Sequence, residues 1–294
     1  MLSYVRPETL EQALEVLAAA DDDLKVLAGG QSLVPMMNLR LAQPTRLLDV
    51  GRLAELSEVR VEGDVVRVGA LARHRDLERP GPELARAAPL LPEAAPHIGH
   101  SAIRERGTFG GSLAHGDPAA EWPACAVALD ATLIARSTRG ERRLAADGFF
   151  VGPLTTTLEP DELLVAVELP VSPPRSGVAV EELAYRHGDY AVVGIAAQVV
   201  ASAEGGLVDA RIGLFGVDAT PVRARQAEAI LRDGGMAALA DAASAAASAC
   251  EPSDDVTASA AYRRRMVAVF TRRAAETAWH RASAARGADM TAAA

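Results

Sequence analysis

Cysteine is nearly missing: Cys125 and Cys250 are the two thiols in 294 residues. So few cannot ligate an iron–sulfur cluster or build a four-ligand structural zinc site on this chain alone. Cys125 lies in the apolar helical run Trp122–Leu129, and Cys250 ends a helical stretch before Pro252. Both read as unpaired small side chains, not as a disulfide. The six histidines include no His-x-x-x-His pair, so no metal site is expected. No apolar run is long enough to cross a bilayer. The start, Met1–Pro7, lacks a secretory pattern and leads into an amphipathic helix, so a cytoplasmic location is expected. Positive charge is also short. The net charge of −9, with no basic patch interleaved with aromatics, speaks against nucleic acid. Arg263, Arg264, Arg265, Arg272 and Arg273 fall on a terminal helix and read as a solvated or subunit-facing surface. Catalytic constellations are missing too. There is no nucleophile elbow and no paired carboxylates in a cleft-like context, and no catalytic residue is assigned.

What stands out instead is glycine, in two remote segments: Ala28-Gly29-Gly30-Gln31-Ser32-Leu33 and Arg106-Gly107-Thr108-Phe109-Gly110-Gly111-Ser112-Leu113. The first follows the apolar run Lys25–Ala28, a strand that stops where paired glycines admit positive φ. Such a turn aims successive N–H groups inward as an anion nest, with Ser32 adding a hydroxyl. The second segment repeats the arrangement with Thr108, Gly110, Gly111 and Ser112, so both are expected to offer backbone donors plus a hydroxyl. Neither carries Gly-x-Gly-x-x-Gly or the Walker Lys-Ser/Thr pair, which excludes Rossmann and P-loop readings.

Periodicity divides the chain into three units. Residues 1–53 read as a small α/β lobe: a helix over 9–19, a strand ending at Gly29, a short helix over 34–41 and a strand over 46–50. Residues 54–171 mix elements. A hairpin over 59–68 turns at Gly63-Asp64, helices run over 84–91, 94–98 and 118–129, and strands over 131–137 and 163–169. The Pro- and Ser-rich stretch 170–177 is a linker. Residues 178–286 hold strands over 191–201 and 208–217 and helices over 221–232, 236–249 and 260–284, with 287–294 as a tail. An antiparallel sheet faced by helices is the natural architecture for this third unit.

A longer set of motifs gives the chain a resemblance. It comprises Ala28–Leu41, Leu47–Val50, Val68–Leu71, Ile98-Gly99-His100, Ile103–Ser112, Asp117–Glu121, Asp161–Leu164 and Arg186–Ala191. In that order they resemble the FAD-binding medium subunit of the molybdenum hydroxylases, which include carbon monoxide, nicotine and xanthine dehydrogenase types. The resemblance implies an α+β fold: a two-lobed FAD-binding domain of the PCMH/vanillyl-alcohol-oxidase type, then a C-terminal antiparallel sheet with helices. It also implies FAD between the first two lobes, with Ala28, Gly29, Gly30, Gln31, Ser32 and Leu33 as one phosphate loop and Thr108, Gly110, Gly111 and Ser112 as the other. Glu121, with Asp117 beside it, matches a ribose-binding acid. Leu163 and Leu164 match the adenine side, and Ile98 and Tyr190 flank the flavin ring.

From the residues alone, each of these positions has a second reading. Glu121 suits a helix's first turn through the macrodipole, Ile98 and Tyr190 suit a core, and Leu163 and Leu164 suit a buried strand. Two departures from relatives also appear. Glu181 and Glu182 stand where some relatives carry a lysine near the flavin, and Gln31 stands where covalent tethers use histidine, so FAD is expected to be non-covalent. The family's role is an electron relay. Iron–sulfur clusters on a small partner feed the flavin, a large partner carries the molybdenum cofactor, and the assembly is a dimer of heterotrimers. A free-standing flavin oxidoreductase and a non-catalytic nucleotide-binding module remain the alternatives at this point.

Overall fold

The computed structural model describes residues 2–20 and 23–292, with side chains through residue 284. The first lobe is a three-stranded parallel sheet in the order β1-β3-β2, formed by β1 (Ser3–Val5), β2 (Leu24–Leu27) and β3 (Arg46–Asp49). Helix α1 (Leu10–Ala18) links β1 to β2. Thr9 caps it by accepting the Gln12 N–H at 3.3 Å, and Leu10, Ala13, Leu14 and Leu17 form its buried stripe. Helix α2 (Leu33–Asn38) lies between β2 and β3. Strand β1 falls where the sequence reads as a lead-in to the helix, and three residues are too few for an alternating pattern to register.

The second lobe is built on a five-stranded antiparallel sheet, and it begins with β4 (Val59–Glu62) and β5 (Val65–Gly69), a hairpin turning at Gly63 with φ +62. Helices α3 (His74–Glu78), α4 (Pro82–Ala87), α5 (Leu90–Ala94), α6 (Ser101–Arg104), α7 (Phe109–His115) and α8 (Glu121–Ala128) follow. The continuous helix expected over 84–91 breaks at Ala88, which leaves the helical region at φ −139 and ψ 64 because Pro89 follows. The helix expected from Pro118 begins only at Glu121. Asp117 Oδ1 accepts the Ala119 N–H at 2.9 Å, closing a turn that delays the helix. Strands β6 (Thr132–Ser137) and β7 (Gly140–Ala145), the small β8 (Phe150–Gly152) and β9 (Thr155–Thr156) pair, and β10 (Leu163–Pro170) complete the lobe, in the sheet order β4-β5-β10-β6-β7. Central β10 has both faces covered, which is why it opens with five consecutive apolar residues, Leu163–Val167.

The third unit is a four-stranded antiparallel sheet of β11 (Ser176–Leu183), β12 (Val193–Ala201), β13 (Leu207–Phe215) and β14 (Val222–Arg223). Helices α9 (Arg225–Gly234), α10 (Leu239–Ser248) and α11 (Ala260–Ala292) cover it. The α11 helix thus runs past Ala284 into the stretch read as a tail, and positions 293 and 294 lie outside the described residues. Arg263 is not a solvated surface group. It is 6% exposed, donates to Val192 O at 2.6 Å and Gly216 O at 2.8 Å, and pairs with Asp255, so α11 holds the loops at one end of the sheet. The expected helical start at Pro221 is instead β14, paired to Gly213 and Leu214.

The opposite sheet face packs on α8. There Gly213 allows contact so close that a Cβ would overlap the Ala124 carbonyl. Gly213→Ala is expected to cost about 1–3 kcal/mol through overpacking. Urea unfolding of the purified variant reads this directly, and an unchanged midpoint would show that the two domains are not pressed together there.

Candidate cofactor site

The first glycine segment leaves the end of β2, and Gly30 turns it with φ +72. Gly29 fits because it has no side chain: a Cβ there would overlap Arg106 O and come within 2.8 Å of Gly107 Cα. Segments 77 residues apart in sequence, as counted between Gly29 and Arg106, are thus packed backbone to backbone. Gln31 Nε2 donates to Gly29 O at 3.1 Å and steadies the turn. Among the described residues, the N–H groups of Gly29, Gly30, Gln31 and Ser32 have no hydrogen-bond partner. They form the open donor set of the nest.

The second segment is different from its expected form. Residues Phe109–His115 are helix α7, with Thr108 as N-cap. Its amide groups are already committed: Phe109 N–H to Ala72 O, Gly110 N–H to Ala70 O, Gly111 N–H to Thr108 Oγ1 and Ser112 N–H to Thr108 O, all at 2.9–3.1 Å. The expected row of backbone donors is therefore closed from Phe109 onward, because this chain end is stitched to the residues after β5 and capped by its own threonine, and Thr108 N–H is what stays open among the described residues. Hydroxyls of Thr108 and Ser112 remain, together with Gly111, where a Cβ would press on Thr108 Oγ1 at 2.5 Å and lie 3.7 Å from that of Ala28.

Between the segments lies a cleft of about 560 Å³. Ala28, Gly29, Gly30, Gln31, Ser32, Leu33, Ile98, Thr108, Gly111, Ser112, Asp117, Glu121 and Tyr190 all line it. Gly110, Leu163 and Leu164 do not. Gly110 is buried against Ala70, while Leu163 and Leu164 are 6% and 4% exposed within the hydrophobic cores on either side of β10. The cleft also takes in Lys25, His74, Gly107 and Gly188-Asp189. Gly107, Gly188 and Asp189 sit inside motifs visible in the sequence, whereas a lone histidine such as His74 carries no sequence signal.

Each wall is fixed by identifiable contacts. Arg104, with its side chain 11% exposed, pairs with Glu78 at 2.8 Å and donates to Ile98 O at 3.1 Å and Gly99 O at 2.9 Å. It therefore clamps the Ile98–Gly99 wall from behind. Tyr190 comes from the loop between β11 and β12. The residue is 60% exposed, and burial together with nearby Asp117 pushes its phenol upward, so the C-terminal domain approaches the cleft beside Ser32 and Asp117.

Electrostatically the site is unusual. Glu121 is 8% exposed at the first turn of α8, and burial, then the charges of Glu182 and Asp117, push its carboxyl up to about 8. Glu182, on β11, has a side chain 5% exposed; its Oε2 lies 3.4 Å from His97 Nδ1 but outside hydrogen-bonding geometry. The acid thus occupies the position where a lysine would reverse these effects. His74, buried and near Arg104 and Arg73, is held down at about 3 and stays neutral. Burial and Glu121 push the Cys125 thiol up, leaving it unreactive.

A dinucleotide fits this donor set. Open amides and glycine surfaces accommodate a diphosphate, carboxyl groups at Asp117 and Glu121 suit sugar hydroxyls, and apolar Ile98 with Tyr190 suits an aromatic ring. Together, cleft and fold define a flavin dinucleotide-binding oxidoreductase subunit. Residues 1–172 match the FAD binding domain in molybdopterin dehydrogenase, and residues 178–278 match the CO dehydrogenase flavoprotein C-terminal domain. The chain belongs to this family, as a medium FAD subunit of the molybdenum hydroxylases.

It is 40% identical to the 6-hydroxypseudooxynicotine dehydrogenase complex subunit alpha of Paenarthrobacter nicotinovorans, over 95% of each chain. With the caffeine dehydrogenase subunit beta of a Pseudomonas species it shares 43% identity, over 75% of this chain and 74% of that one. Its structure superimposes on carbon monoxide dehydrogenase from Hydrogenophaga pseudoflava with a TM-score of 0.91 and 39% identity, covering 95% of this chain and 98% of that one. The expected α+β architecture, with an antiparallel C-terminal sheet covered by helices, is the observed one. No helix among the described residues is long and apolar enough to cross a membrane.

The buried acid gives a pH signature. Between its ordinary value of 4.5 and about 8, folded Glu121 holds a proton that the unfolded chain has released. Stability should therefore fall as pH rises through that window, by on the order of 1 kcal/mol per pH unit from this group. Urea midpoints of the FAD-free chain measured against pH should flatten in Glu121→Gln. A slope indifferent to the substitution would assign the effect elsewhere.

Proposed function

We propose that this chain is the FAD-carrying electron-transfer subunit of a heterotrimeric molybdenum hydroxylase. It takes electrons from iron–sulfur clusters on a small partner and delivers them to an external acceptor, while a large partner carries the molybdenum cofactor and performs the substrate chemistry. The assembly is a dimer of heterotrimers in the cytoplasm. The observation that carries this reading is the meeting of two remote glycine segments on one cleft, with four unpartnered amides on the first.

In this reading Ala28–Leu33 hold the diphosphate through amide donors, and Thr108 and Ser112 add hydroxyls from the other side. Asp117 and Glu121 bind sugar hydroxyls, and Ile98 and Tyr190 flank the ring. Bound FAD supplies the junction between one- and two-electron chemistry. The chain's own residues contribute position and environment: Arg104 keeps Ile98 in place, and Tyr190 closes the wall from the C-terminal domain. With Glu181 and Glu182 where some relatives carry a lysine, β11 supplies no cation there that would favour an anionic ring. Gln31 has no nucleophilic atom suited to a flavin tether, so the cofactor is bound without a covalent link.

Purification from the native host tests the assembly. A yellow complex should elute with one iron–sulfur chain and one molybdenum-containing chain, and acid precipitation should leave all flavin in the supernatant. Flavin retained by the precipitated polypeptide would overturn the non-covalent reading, and a colourless complex the whole proposal. Gly29→Val, which drives a side chain into the Arg106 carbonyl, is expected to abolish flavin retention. An intact flavin spectrum in that variant would show that the cofactor does not depend on the contact between segments.

A further inference from the structure

A buried imidazole lies behind the junction of the glycine segments. His74, the first residue of α3, is 4% exposed and lines the cleft. Its two ring nitrogens meet different surroundings. Nδ1 accepts the indole N–H of Trp122 at 3.0 Å in a buried pair. Indole nitrogen only donates, so Nδ1 bears no proton and the neutral ring carries its proton on Nε2. The backbone holds the residue in place as well, since His74 N–H donates to Gly107 O at 3.1 Å.

Nε2 is turned toward Gly107, where a Cβ would come within 2.5 Å of it. Gly107 is the residue on which Gly29 packs, so this N–H sits where the two segments join. The position is informative because the amides from Phe109 to Ser112 are all spent within the fold. Among the described residues Thr108 N–H alone is left without a partner in this segment, and an imidazole N–H adds a side-chain donor beside it.

We infer that His74 Nε2–H donates a hydrogen bond to the diphosphate of the bound dinucleotide, and that Trp122 positions it by fixing the tautomer. The inference rests on the placement of FAD in this cleft proposed above. No proton is transferred: a phosphate oxygen accepts, and the imidazole remains neutral throughout.

The full chain, stripped of flavin and reloaded with FAD, provides the test. Dissociation constants and the 31P resonances of the two bound phosphorus atoms are compared in wild type, His74→Leu, His74→Gln and Trp122→Phe. His74→Leu should weaken binding about tenfold or more, the loss of one hydrogen bond to a charged group, and should move a 31P resonance. His74→Gln keeps an N–H at similar reach and should restore both. Trp122→Phe keeps the ring but frees the tautomer, and should move the same resonance with a smaller loss of affinity. Unmoved resonances in His74→Leu, or equal loss in His74→Gln, would reduce His74 to a packing residue and overturn the inference while FAD binding stands. Wild-type resonances at their free-solution positions would instead remove the FAD placement itself, and this inference with it.

Discussion

One missing atom organises this molecule. Because Gly29 has no Cβ, the turn after β2 lies flat on the Arg106–Gly107 backbone, and two lobes with separate sheets share a single cleft. Any side chain at that point would part them. The same closeness explains why both segments are rich in glycine although only Gly30 uses positive φ: contact, more than conformation, is what most of these glycines provide.

The glycine motifs and the amphipathic stripe of α1 made the first lobe legible, since both are local signals. The β4–β5 hairpin and the long apolar strands were legible for the same reason. Less visible were elements whose pattern is set by neighbours: the three-residue β1, the polar edge strand β7, and β14, which pairs only because β13 is beside it. The second glycine segment shows the limit most clearly. Its sequence suggests a turn of free amides, and only the position of Ala70, Ala72 and Thr108 reveals that those amides are already taken. Leu163 and Leu164 illustrate the converse, a motif whose side chains serve two hydrophobic cores and not the cleft.

Charge in the site is sparse. Lys25 is the one lysine or arginine among the residues lining the cleft, and the acids outnumber it. An anion held here is met chiefly by amide, hydroxyl and imidazole dipoles, whose attraction is short-ranged and weakly screened by salt. Glu121, His74 and Cys125 are all driven toward their neutral forms by burial, so the interior behind the cleft carries little net charge of its own.

The cleft is completed late along the chain. Its first wall is written by residue 42, its second by residue 154, and the last piece, ending at Tyr190, arrives only with the loop that follows β11. On a ribosome the polypeptide must therefore be more than half synthesised before a dinucleotide can meet a full set of contacts. A ligand captured at that stage binds the native form alone and shifts the folding equilibrium by mass action. Cofactor supply thereby becomes a determinant of how much of this polypeptide survives to assemble.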